Sequence, residues 1–240
     1  MSEKLDVLVF AAHPDDAELS CSGTIMKHID AGLKVGIVDL TQGEMGSRGT
    51  VETRYAEAED ATKLMGIHAR VNLKLADGFF EINKESKRLI VEQIRRFQPS
   101  IVLANAIKDR HPDHGRAGQL VSEACFLSGL RMFETTWNNE PQDAMRPKAV
   151  YHYIQDYYIK PDFIVDVSSY IDRKMDVIKS FKTQFFHPES NEPQTPISGA
   201  DFFEFIKSRM MELGRPAGVK FAEGFTVERF PEVKNLMDLN

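Results

Sequence analysis

Cysteine is nearly absent from this chain. Cys21 and Cys125 are the only two among 240 residues, too few for a disulfide framework. Both fall in predicted helices among apolar or small neighbours, which marks them as buried structural thiols. A long uninterrupted apolar run is also missing, so no membrane span and no membrane partner are expected. Basic charge is not in excess: 30 Lys and Arg against 36 Asp and Glu leave a formal net charge of -6. A nucleic-acid partner, which calls for a basic surface, is therefore not expected either. The first residues, Met1-Ser2-Glu3-Lys4-Leu5-Asp6, are charged and run straight into a predicted strand. That leaves no room for a signal peptide and points to a cytoplasmic location. Repeats, heptads, low-complexity tracts and sharp linkers are lacking too, so the expected organisation is one domain over residues 1–240.

What the chain does have is alternation of strand and helix patterns. Leu5 to Ala11 reads as a buried strand, Asp16 to Ala31 as a helix closed by Gly32, and Leu33 to Thr41 as a second strand. A loop with Gly43, Gly46 and Gly49 follows, then a helix from Glu52 to Met65, a strand from Val71 to Leu75 and a helix from Lys84 to Phe97. Ile101 to Ala104 is the next strand and Gly115 to Leu130 the helix after it. Further strands are expected at Val150 to Ile154, Phe163 to Val167 and Val219 to Val227, with helices at Ser169 to Phe181 and Asp201 to Leu213. The fold class is thus α/β, a Rossmann-like, mainly parallel sheet flanked by helices.

Two bursts of chemistry sit at strand ends. Ala12-His13-Pro14-Asp15-Asp16 follows the first strand, and His111-Pro112-Asp113-His114 follows Ile101 to Ala104. Ligand crevices of open α/β sheets lie at such ends, so the two loops are expected to converge. His13 and Asp16 are three apart across a turn, and His114 adds a third ligand. Two His, one carboxylate and an open position suit a catalytic Zn²⁺, and Fe²⁺ fits the same set. Asp15 is then placed to accept a proton from water. His111 is placed as a donor to the developing oxyanion, with Asp113 expected to hold its other nitrogen. The bland alternative, a proline-stopped strand and a helix cap, explains either cluster alone better than it explains both. Dinucleotide binding is disfavoured because the first turn carries carboxylates where G-x-G-x-x-G would be required.

These motifs resemble the PIG-L or LmbE-like superfamily of zinc-dependent N-acetylglucosamine de-N-acetylases. Thr41-Gln42-Gly43-Glu44, Arg54, Glu57-Ala58 and Ala222-Glu223-Gly224-Phe225 extend the likeness over most of the chain. Asn72-Leu73, Asp77-Gly78-Phe79 and Asp109-Arg110 look most like the bacillithiol-biosynthesis deacetylases. The resemblance implies His13, Asp16 and His114 as ligands, Asp15 as base, and His111 with Asp113 at the oxyanion. It also implies Arg54 and Asp77 as substrate-binding residues, and a homo-oligomer, a hexamer by family habit. The strip Phe202-Phe203-Phe205-Ile206 offers an apolar surface for such association. A structural alternative for Arg54 is a helix-surface pair with Glu57 or Glu59.

Two departures from the family pattern stand out. Ala17 separates the Asp pair from Glu18, which receives no catalytic role. Asp109 stands where relatives acting on mycothiol precursors carry Tyr, so a phenol would have to come from Tyr151, Tyr153, Tyr157 or Tyr158. The expected partner is a small amino-sugar conjugate, N-acetylglucosaminyl-malate, with Arg54, Arg48 and Arg110 available to its carboxylates. Alternatives are an amidase of a mycothiol-like conjugate, a chitooligosaccharide de-N-acetylase, or a metal- or sugar-binding module without turnover.

Overall fold

A computed structural model describes residues 4–239. Met1, Ser2 and Glu3, on which the signal-peptide expectation partly rests, lie outside the described residues, as does Asn240. The first half comprises β1 Val7–Ala11, α1 Asp16–Asp30, β2 Val35–Thr41, α2 Val51–Met65, β3 Ala69–Leu75, α3 Lys84–Phe97, β4 Ile101–Ala104 and α4 Pro112–Ser128. The second half adds β5 Thr136–Trp137, β6 Glu140–Pro141, β7 Ala149–Tyr153, β8 Phe163–Asp166, α5 Ile171–Lys179, α6 Phe202–Gly214 and β9 Ala222–Val227.

Seven strands form one sheet in the order β3-β2-β1-β4-β7-β9-β8. Neighbours from β3 through β7 pair in parallel, while β9 runs antiparallel to both β7 and β8. Every residue of β1 and β2 is buried, as expected of parallel strands covered on both faces. Alternate side chains of β1 feed two cores. Val7, Val9 and Ala11 pack with α1, α2 and α5; Leu8 and Phe10 pack with α3 and α4.

This order places the crevice. From β1 the chain moves to β2 and β3 on one side, then returns to β4 on the other, so β1 and β4 flank a topological switch point. Both His-Pro-Asp motifs leave the sheet there. α4 starts three residues earlier than its pattern suggests, because Pro112 occupies the first helical position, where a missing N–H costs nothing.

Other differences are local. The helix expected over Ser169 to Phe181 divides into a 3₁₀ turn, Ser168–Tyr170, followed by α5. The β5–β6 ribbon is not anticipated by the sequence pattern; Asn138 and Asn139 turn it with φ of 52° and 64°, and strands of two residues carry no readable period. The apolar strip expected to serve self-association faces largely inward. Ile206 is buried, and Phe202 and Phe203 pack on the core, leaving only Phe205 well exposed. Among the described residues, no helix is long and apolar enough to cross a membrane.

Candidate metal and catalytic centre

The loop after β1 turns sharply enough to aim two successive carboxylates in different directions. Asp15 adopts φ 140°, a conformation that an L-residue holds only when its surroundings enforce it. Asp16 opens α1 and is gripped on all sides. Its Oδ2 accepts from the His13 backbone N–H and from Asn105 Nδ2, both at 3.0 Å, and its Oδ1 accepts from Gln155 Nε2 at 3.1 Å. His114 Nε2 lies 3.0 Å from the same Oδ1, and His13 Nδ1 lies 3.6 Å from Oδ2.

Each of these imidazoles is held from behind by a carboxylate. His13 Nε2 meets Asp77 Oδ1 at 2.9 Å, and His114 Nδ1 meets Asp109 Oδ2 at 2.5 Å. Carboxylate–imidazole pairs of this sort orient metal-ligating histidines and raise their basicity. His111 caps α4, its Nδ1 accepting from the Asp113 backbone N–H at 3.2 Å. With Nδ1 as acceptor, the ring proton resides on Nε2. The three rings cluster, with His13 and His111 centroids 4.7 Å apart and His111 stacked on His114 at 5.1 Å.

Electrostatics divide the two acids. Burial pushes Asp15 up to about 7, against the opposing pull of the Arg54 guanidinium and with help from the Asp16 charge. Burial would also raise Asp16, but His114 and His13 outweigh it and hold that carboxyl well below its ordinary range. Burial works to lower His114, yet Asp16 and Asp109 lift it to about 9. His111 goes the other way, lowered by burial and by its two imidazole neighbours. Two adjacent carboxyls with divergent proton affinity are a recognisable arrangement for dividing ligand and base roles.

The donor set suits a divalent cation. Ring nitrogens of His13, His111 and His114 lie within 4.8 Å of one another, as do donor atoms of His13, Asp77 and Asp113. The second grouping is the poorer host. Asp113 Oδ1 is 2.5 Å from Arg116 Nη1, its Oδ2 accepts from Gly78 N–H, and Asp77 Oδ2 accepts from Met45 N–H. A cation there would sit beside a guanidinium. Asp16 is not in either grouping, but His13 Nδ1 and His114 Nε2 each face one of its oxygens, at 3.6 and 3.0 Å, with their outer nitrogens already anchored on Asp77 and Asp109.

The expectation for Asp113 needs correction, as does the surface alternative for Arg54, while Asp77 reaches the cavity with partners of its own. The Asp113 carboxylate does not hold the second nitrogen of His111; as the second residue of α4 it offers its backbone N–H to the cap, while its side chain turns to Gly78 and Arg116. Asp77 lines the cavity, but both its oxygens are engaged, by His13 and by Met45. Arg54 is not a helix-surface residue: it is buried, its Nη1 donating to the Pro14 carbonyl at 3.0 Å and to Asp15 Oδ2 at 3.2 Å. Gly43 makes room for it, since a Cβ there would lie 3.2 Å from Nη1.

The remaining nominees are also occupied. Arg48 donates to the Thr183 and Pro193 carbonyls and to Ser190 Oγ, and Arg110 pairs with Asp156 at 3.2 Å. Tyr153 is a core residue whose hydroxyl donates to the Phe10 carbonyl, and none of the four tyrosines lines the cavity. Glu18 is wholly buried against Arg70, which also forks onto Asp39, so it is structural. Sequence reasoning missed Asn105 and Gln155 as the clamps on Asp16. It also gave Asp109 no part in the site, reading it as a subgroup feature and a departure from Tyr; its spacing of five before His114 was the available signal.

The centre opens into a cavity of about 370 Å³ that continues under α6. Comparison with known proteins places these features in context. Residues 8–125 match the family model described as PIG-L: GlcNAc-PI de-N-acetylase. A conserved protein from Thermus thermophilus has a solved structure that is 33% identical, with a TM-score of 0.84, over 96% of this chain and 98% of that one. The diacetylchitobiose deacetylase of Thermococcus kodakarensis is 29% identical over 229 residues, 91% of this chain and 81% of its own length. A probable N-acetyl-alpha-D-glucosaminyl L-malate deacetylase 2 of Bacillus anthracis is 27% identical over 205 residues, 77% of this chain and 84% of that protein.

Proposed function

The chain belongs to the PIG-L family of de-N-acetylases, and from that premise we propose that it hydrolyses the N-acetyl amide of a GlcNAc-type conjugate, releasing acetate and a free 2-amine. The observation that carries this reading is Asp15, a buried carboxyl raised to about 7 beside a neighbour driven the opposite way. A group with that affinity takes and returns protons near neutral pH.

His13, Asp16 and His114 would hold the cation, Zn²⁺ or Fe²⁺. When bound, it supplies Lewis-acid polarisation of the amide carbonyl and acidification of water. Asp15 removes the proton from the attacking water and delivers it to the departing amine. His111, with its proton on Nε2, donates to the oxygen on which charge develops. Arg54 keeps Asp15 oriented and partly ionised. A binding module without turnover would need no such base.

For the aglycone, the arginines bear on malate. Arg54, Arg48 and Arg110 all have protein partners, so the physical support for a dicarboxylate conjugate is lost. The sugar end of the substrate is what the reading retains. Its test is amine and acetate release from diacetylchitobiose, N-acetylglucosaminyl-malate and a mycothiol-like conjugate with added Zn²⁺. The Asp15→Asn variant should bind metal and lose about 10²–10⁴ in rate. No release from any N-acetyl sugar by metal-loaded protein would remove the proposal.

A further inference from the structure

We infer that the cavity running from the centre under α6 receives a hydrocarbon substituent carried by the amino-sugar substrate. This rests on the de-N-acetylase reading and names the chemistry of the group beyond the sugar. The cavity begins at His13, Asp15 and His111 and passes Gln155. Beyond that point α6 lines it with Phe202, Phe205, Ile206, Met210 and Leu213, at spacings of three and four that make one apolar stripe. Ile154 lies across from the stripe. Gly224 lets the end wall close tightly, since a Cβ there would lie 3.1 Å from Ile154 Cδ1 and 3.3 Å from Leu213 Cδ1.

Most polar groups along this stretch already have partners; the exception is the Thr195 hydroxyl at its edge, buried without one. Lys174 Nζ is 2.6 Å from Glu223 Oε1, and Gln155 holds both Asp16 and Asn105. Arg209 donates to the Asp156 carbonyl and lies 4.8 Å over the Phe205 ring. A hydroxyl or carboxylate placed along the α6 stripe would surrender its water for at most the Thr195 hydroxyl in exchange. Each methylene buried there instead strengthens binding about fourfold. An acetyl group has a single methyl to offer such a surface. The stripe suits several carbons in a row, supplied by an N-acyl group longer than acetyl or by an alkyl aglycone.

Two ligand series separate those sources: glucosamine acylated with acetyl, butanoyl or octanoyl groups, and methyl, butyl or octyl β-glycosides of GlcNAc. Binding is followed by calorimetry and amine release is followed in parallel. Affinity should rise about tenfold or more from shortest to longest member in one series, which names the source. Met210→Gln, close in shape, should erase most of that gain. So should Phe205→Ser, at a residue 47% exposed, where folding is not at stake. Affinity independent of length in both series, or a gain that survives both substitutions, would overturn the inference. Length-dependent binding without amine release from any member would instead remove the de-N-acetylase reading and leave the apolar site standing.

Discussion

The Arg54 guanidinium reaches across the β1–α1 loop to Asp15, with Nη1 3.2 Å from Oδ2, and the same nitrogen fixes the Pro14 carbonyl. A residue from α2 thereby sets both the position and the charge of an acid held at φ 140°. Burial raises Asp15 to about 7 even with this cation beside it. Removing the cation takes away the largest influence opposing burial and leaves only the weaker pull of His13, so the pKa must go higher. In Arg54→Met the acid limb of kcat/KM should therefore move to more alkaline pH, with a loss at neutral pH that recovers partly as pH rises. Arg54→Lys, which keeps the charge but not the fork, should shift less. Profiles taken at saturating metal decide this; an acid limb that stays in place would show that Asp15 is not the titrating group.

The carboxylates behind the histidines should govern metal affinity without binding metal themselves. Asp77 holds His13 and Asp109 holds His114. Asp77→Asn and Asp109→Asn should each weaken metal binding about 10–100-fold. Asp16→Asn, which alters a ligand, should cost more than either. Competition against a chromophoric chelator measures all three, and activity lost to the chelator should return on adding Zn²⁺. Equal affinity in the Asp109 variant and the parent would place His114 outside the ligand set.

Neither thiol should report on the site. Cys21 and Cys125 are buried, and burial pushes both thiols upward in pKa. A buried protonated thiol is a poor nucleophile. Native protein should resist a thiol reagent over the time in which urea-unfolded protein reacts fully at both positions. Rapid labelling of native Cys21 would indicate that α1 opens near its break.

The fold is legible in the sequence where local pattern and global role agree. The wholly apolar run of β1 admits one reading because a parallel strand covered on both faces can be apolar throughout, and the motifs that follow β1 and β4 mark the crevice; β2 interrupts its run with Asp39, buried against Arg70. Asp109 and Asp77 are harder. Their partners, His114 and His13, are found only once the β4–α4 loop folds back and the segment after β3 reaches the β1–α1 loop. The α6 stripe fails in a different way. Its periodicity is plain in Phe202-Phe203-Phe205-Ile206, but periodicity does not say what a face meets, and most of this one, Phe205 apart, turns toward the protein.

α1 contains a break whose repair comes from the far end of the chain. Cys21 has φ -140° and ψ 18°, so the helix is interrupted and its flanking backbone groups need other partners. Glu223 on β9 accepts from the Gly23 N–H at 3.0 Å and the Thr24 N–H at 2.7 Å, serving the segment that follows. Lys174 on α5 donates to the Glu18 carbonyl at 3.3 Å, serving the segment that begins with Asp16, and closes the set by pairing with Glu223. Both side chains are at most 2% exposed. Glu223→Gln leaves the Lys174 ammonium buried without a counter-charge and should destabilise by about 3–5 kcal/mol. Lys174→Met should cost less, because the carboxylate keeps two backbone donors at a helix start, where negative charge is favoured. The double variant should fall short of the sum of the two single losses, since each removes the same pair. Urea unfolding of the four proteins tests the order. A Lys174→Met loss larger than that of Glu223→Gln would mean that the Glu18 carbonyl, rather than the second segment, is what the pair chiefly supports.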